Sequence, residues 1–257
     1  SSDREVEMLT PDKILEYRRQ YTALQGDPPL DTEEVTNAQL SALARVVDAG
    51  GSPFADFGVW GPFGNMIAKQ FCFTHNFLDG TGQWRAKELA GPDCIEAWER
   101  CWRVFRTAAI MLQLATPAVL DLYAAKFRHR VTKYPWTWSL CCLADQRCRG
   151  EWWVQEHRRQ LDFHASNPTL SSFNLSMPWN SVINASAAAP EFWKEELEEP
   201  ALIRKVAGGR GGNEGTEATG GYRRDRSRSP GRGTSSGPGP RAGRTGRTRG
   251  GTGGGRG

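Results

Sequence analysis

From Gly208 to Gly257 the sequence carries nineteen of the chain's 29 glycines and eleven arginines, with no lysine and no tryptophan. Such a segment has too little apolar surface to offset the conformational entropy lost on ordering, so it is expected to stay disordered. All ten tryptophans lie before Pro200. Any hydrophobic core must therefore be built upstream of the tail, and whole-chain averages describe neither part.

Charge divides along the same line. The eleven tail arginines against Glu214, Glu217 and Asp225 leave +8; the whole chain carries +4, so residues 1–207 carry −4. The positive charge that attracts a polyanion belongs to the tail. Arg223, Arg224, Arg226, Arg228 and Arg232, followed by Arg241, Arg244, Arg247, Arg249 and Arg256, are the candidate nucleic-acid contacts. A guanidinium grips phosphate through paired hydrogen bonds and stacks on unpaired bases. The expected partner is RNA or single-stranded nucleic acid, bound with little sequence preference and strong salt dependence. Ser227 and Ser229 sit between arginines and before Pro230, which makes them candidate phosphorylation sites. Phosphate there would offset the positive charge. That chemistry supports a second reading, a protein-interaction scaffold with a phosphorylatable Arg/Ser docking tail.

Upstream, the pattern predicts a mainly α fold: a compact helical domain with one β-hairpin, followed by the disordered Arg/Gly-rich tail. Thr10-Pro11 opens a short helix that Gly26-Asp27-Pro28-Pro29 ends. Thr36 or Asn37 caps a second helix carrying Leu40, Leu43, Ala44 and Val47. Aromatic arms on either side of Asp79-Gly80-Thr81-Gly82 read as a hairpin. The strongest element, expected to be capped by Asp93, places Ile95, Trp98, Trp102, Phe105, Ala109 and Leu112 on one stripe. Thr116-Pro117 opens the next, with Leu120, Tyr123, Phe127 and Val131. A further run from Trp136 to about His164 carries Leu140, Cys141, Ala144, Cys148 and Trp152, with Gly150 as its weak point. A short helix from Asn65 to about Gln70, and an acidic one from Glu191 to Glu199 ended by Pro200, complete the set. The expected division is 1–34 as N-terminal helix and linker, 35–166 as the helical domain, 167–207 as a linker with a short acidic helix, and 208–257 as the tail.

The residues that invite a chemical reading have simpler explanations. Cys72-x2-His75 and Cys141-Cys142-x5-Cys148 with His157 supply zinc-ligand types, but the paired loop-borne knuckles of a zinc site are missing. Buried thiols fit the helical setting of Cys141, Cys142 and Cys148 better. Asp79-Gly80-Thr81-Gly82 has the wrong order for an aspartic-protease motif, and a turn accounts for it. No GxxxxGK or HExxH occurs. The expectation is a non-enzymatic chain without metal or cofactor. Arg128, His129, Arg130, Lys133, Arg158 and Arg159 read as a solvated helix face rather than an extension of the binding surface. The aromatics of 53–64 read as core packing rather than a docking patch.

No stretch approaches the ~18 consecutive apolar residues of a membrane span. Ser1-Ser2-Asp3-Arg4-Glu5 lacks the basic and apolar regions of a signal peptide. Both point to an intracellular protein, nuclear or cytoplasmic, with reduced thiols and no membrane partner.

DFGVWGPFG at 56–64, the hairpin arm Trp84–Leu89 and WERCWRVFRTAAIML at 98–112 resemble an uncharacterised protein family abundant in dinoflagellate algae and associated with retroelement-like open reading frames. The likeness covers roughly residues 35–165. It implies a gag-like role, in which a helical body self-associates while a basic segment holds nucleic acid. It transfers no catalytic residue.

Overall fold

The computed structural model describes residues 8–61, 72–78, 81, 83–171 and 173–209. The chain divides into two units, Ser1–Gly212 and Asn213–Gly257, and every described residue belongs to the first. The tail, the Asn65–Gln70 segment and most of the Asp79–Gly82 turn lie outside the described residues.

The helices α1 (Pro11–Gln25), α2 (Asn37–Asp48), α3 (Ile95–Met111) and α4 (Pro117–Lys133) form where the apolar spacing placed them. Thr36 makes a full capping box for α2: its hydroxyl accepts from Gln39 N at 3.2 Å and its own N–H donates to Gln39 Oε1 at 3.0 Å. The start of α3 differs from expectation. Cys94, not Asp93, holds the cap position, and no side chain caps it. At the start of α4, the Thr116 N–H and hydroxyl both donate to Asn180 Oδ1, at 2.9 and 3.0 Å, so a distant residue does the work of a cap.

The predicted stripe of α3 is the spine of the core. Trp98 and Trp102 stack at 5.1 Å, Trp102 stacks on Tyr123 at 4.9 Å, and Phe127 lies 4.4 Å from Trp98. Each such aromatic pair adds about 0.5–1.5 kcal/mol beyond simple burial. Phe57, wholly buried, contacts Trp98, Trp102 and Phe105 edge-on, so most of the 53–61 loop is core, as the glycine-flanked aromatics suggested.

Strands β1 (Cys72–Leu78) and β2 (Trp84–Ala90) pair antiparallel, Cys72 opposite Ala90 and Leu78 opposite Trp84. The base of this hairpin rests on α5 (Trp138–Arg147), which follows a 3-10 turn at Pro135–Thr137. Gln146 Nε2 donates to Ala90 O at 3.1 Å and Trp138 Nε1 to Pro92 O at 2.9 Å. Gly91 makes the close approach: at φ 137° it is in a glycine region, and a Cβ there would meet Cys142 Sγ and Gln146 Nε2 at 3.2 Å.

Gly150 is the weak point anticipated, in a specific form. A π-turn spans Cys148–Trp152 between α5 and α6 (Trp153–Ser166). The wider turn advances the buried face by one residue, so Trp153, not Trp152, enters the core.

The largest departure concerns 167–207, expected as a linker. Its helices α7 (Asn180–Ala188), α8 (Pro190–Trp193) and α9 (Glu199–Gly209), with a second π-turn at Lys194–Glu198 joining the last two, bury Trp179, Val182, Ile183, Ala187, Trp193, Leu197 and Ala201 in the same core. Ser186 of α7 ties them in: its Oγ accepts from Trp153 Nε1 at 2.9 Å and its carbonyl from Trp193 Nε1 at 2.8 Å. Pro200 does not end the helix. It falls in the first turn of α9, directly after a hydrogen-bond ladder already displaced by the π-turn. The N-terminal helix is likewise packed rather than detached, with Ile14 and Tyr21 buried. Among the described residues, no helix is long and apolar enough to cross a membrane.

Candidate functional site

The ten candidate arginines of the tail and Ser227 and Ser229 lie outside the described residues. Of the six basic residues considered as an extension of the binding surface, four are engaged within the body. Arg128 donates to Glu99 at 2.6 Å, and Lys133 sits 3.5 Å from Glu198. Arg130 lies 4.0 Å over the Trp193 ring and donates to Ala187 O at 2.8 Å; burial lowers its pKa. Arg159 holds Glu156 through two hydrogen bonds. His129 and Arg158 are exposed.

The sequence reading missed the polar centre of the fold. Asp145 is fully buried, and its carboxylate accepts from Trp98 Nε1, Tyr123 OH and Arg149 Nε, each at 2.9 Å. Arg149, also buried, donates to Ala55 O at 2.6 Å and lies 3.9 Å over Phe57. Its Nη2 is 2.9 Å from Asp145, an ionic contact without a hydrogen bond. Burial, followed by the Asp145 charge, pushes the Tyr123 phenol well above its ordinary pKa. This cluster joins α3, α4, α5 and the 53–61 loop. None of its residues lines the three clefts described below, and its hydrogen bonds clamp these elements together. The only local signal was an Asp–Arg pair four residues apart on an otherwise apolar helix face.

Cys101, Cys141, Cys142 and Cys148 are core groups. Burial pushes Cys101 and Cys141 up to about 11 and Cys142 and Cys148 up to about 12. His157, considered as a zinc ligand, instead stacks on Trp179 at 4.3 Å, and burial lowers its pKa. Among the described residues, no three of His, Cys, Asp and Glu come together to hold a metal. Alkylation of the native protein at pH 8 is expected to spare Cys101, Cys141, Cys142 and Cys148 until denaturant is added, and peptide mapping by mass spectrometry checks this. Because an ordinary thiol ionises near 9.0, the unfolded chain loses these protons first. Their contribution to stability is complete below pH 9 and declines as pH rises through about 11–12.

Three clefts stand out among the described residues. One of about 410 Å3 lies between α6 and α7, with Glu156, Arg159, Phe163, Leu170, Ser181 and Asn184 in its walls. Behind Phe173 a smaller cleft of about 230 Å3 is lined by His157, Leu161, Leu175 and Trp179. The third, about 320 Å3, sets Trp152 and Phe192 among Glu151, Glu191, Glu195 and Glu196 beside Arg147. The first has the most varied chemistry. Burial alone would raise the pKa of Glu156, but hydrogen bonds from Arg159 and Gln160 outweigh it and hold the carboxyl below its ordinary range. Gln160 in turn accepts from the Ser181 hydroxyl at 2.5 Å.

Compared with protein-family models, with curated proteins and with solved structures, the chain matches none.

Proposed function

We propose that this chain is a non-enzymatic nucleic-acid-associated protein, with the Arg/Gly segment contacting the phosphates of RNA and the helical body mediating association, an arrangement of the gag-like kind. The carrying observation is the charge partition, +8 in 208–257 against −4 in 1–207. The internal pairing of Arg128, Arg130, Lys133 and Arg159 supports it, because those cations are already engaged by the body itself. The association role draws support from α9, where Leu202, Ile203 and Val206 are exposed on a helix otherwise tied to the core by Ala201.

Filter binding of single-stranded RNA by the full chain and by a 1–207 truncation, across a salt series, tests the proposal. If all eight net charges neutralise phosphates, log affinity falls against log salt with a slope of about −5 to −6. The truncation is expected to lose that slope and about 100-fold or more in affinity at low salt. Equal affinity and slope in the two proteins would overturn the proposal.

A further inference from the structure

The α6–α7 cleft combines exposed aromatic surface with polar groups, of which the Arg159 guanidinium is held in place by Glu156. Phe163 is 47% exposed and Leu170 78% exposed, and both line the cleft with the buried Phe173. Glu156 takes Nε and Nη2 of Arg159, which fixes the guanidinium plane and leaves Nη1 over. The exposed Asn184 amide offers a donor and an acceptor side by side. The cleft's volume of about 410 Å3 suits a small planar group.

The chemistry narrows the class of occupant. Glu156 and Arg159 cancel each other's charge, so the cleft favours neither a bare phosphate nor a basic peptide. An apolar helix laid across it would cover Arg159 and Asn184 without giving them partners, at the cost of desolvating both. A flat group with polar edges meets every requirement. Its face stacks on Phe163, while its edge pairs with the Asn184 amide and the remaining Arg159 nitrogen. That is how unpaired bases are held.

We infer that the cleft between α6 and α7 binds an unpaired nucleobase of a single-stranded nucleic acid. The inference rests on the nucleic-acid function proposed above and adds a base-reading site to the folded body, separate from the phosphate-contacting tail.

The test uses the full chain and two strands of equal length and phosphate number, an oligothymidine and its abasic counterpart. The wild-type protein is expected to prefer the base-bearing strand. Phe163→Ala, at an exposed position, should weaken binding of that strand by about 5- to 100-fold while leaving abasic binding and the salt slope unchanged. Asn184→Ala should give a smaller loss of the same kind. A Phe163→Ala protein with unaltered Tm and an undiminished base preference would overturn the inference, as would a wild-type protein that binds both strands equally. Failure of the tail proposal has a different signature: a full-length variant with its tail arginines changed to glutamine would keep its affinity for the abasic strand.

Discussion

Asp145→Ala is expected to destabilise the protein by about 3–5 kcal/mol, a large share of the roughly 5–15 kcal/mol by which domains are stable. The size of the effect comes from what is left behind. Without the carboxylate, Arg149 remains 1% exposed with an uncompensated charge, and the Trp98 and Tyr123 donors lose their shared acceptor. Asp145→Asn keeps one carbonyl oxygen and should fall in between. The double change Asp145→Leu with Arg149→Met removes both charges together and is expected to recover most of the loss, because apolar replacements of buried ion pairs are often neutral. Urea unfolding followed by tryptophan fluorescence, arranged as a double-mutant cycle, reads these values. A cost below about 1 kcal/mol for Asp145→Ala would mean that the centre is hydrated.

Trp193→Ala is expected to cost about 3–5 kcal/mol, the range for deleting a buried large aromatic. Trp193 is 1% exposed, donates to Ser186 O at 2.8 Å and lies under the Arg130 guanidinium at 4.0 Å. Its removal opens a cavity beside Phe127 and strips Arg130 of its ring partner. The half-buried Trp152 serves as the control, and Trp152→Ala should cost markedly less. The comparison also decides whether 167–207 belongs to the fold. A linker would tolerate Trp193→Ala without change in the urea midpoint, whereas a core segment would not.

These two residues also show where reading the sequence fails. The stripes Trp98–Trp102–Phe105 and Leu120–Tyr123–Phe127 were legible because helical periodicity repeats one face over several turns. The hairpin was legible because aromatic-bearing arms flank an Asp-Gly pair in the sequence. Trp153 was not, because a π-turn inserts a residue that no local pattern announces, and the same spacing rule then points to Trp152. The segment 167–207 looked like a linker because its small and polar residues dilute the apolar ones. Ser186 reads as solvent-facing until Trp153 and Trp193 are seen to converge on it. Of the α6–α7 cleft, the sequence reading noted the cation Arg159 and assigned it to a solvated face; Asn184 stands 14 residues from Leu170 and 21 from Phe163, and only tertiary folding brings the three into one cleft.

The charge partition and the helix faces are sums over neighbouring residues, so composition and spacing suffice to obtain them. The positive segment 208–257, the acidic body and the α3–α4 core stripes were therefore available before any coordinates. Which aromatic turns inward after a π-turn, which cation is already paired and which carboxylate is buried all depend on partners far away in the chain. Asp145 meets Trp98 across 47 residues, and Arg149 meets Ala55 across 94. Contacts of that range are set by packing alone, and they hold Arg130 and Arg149 inside the fold.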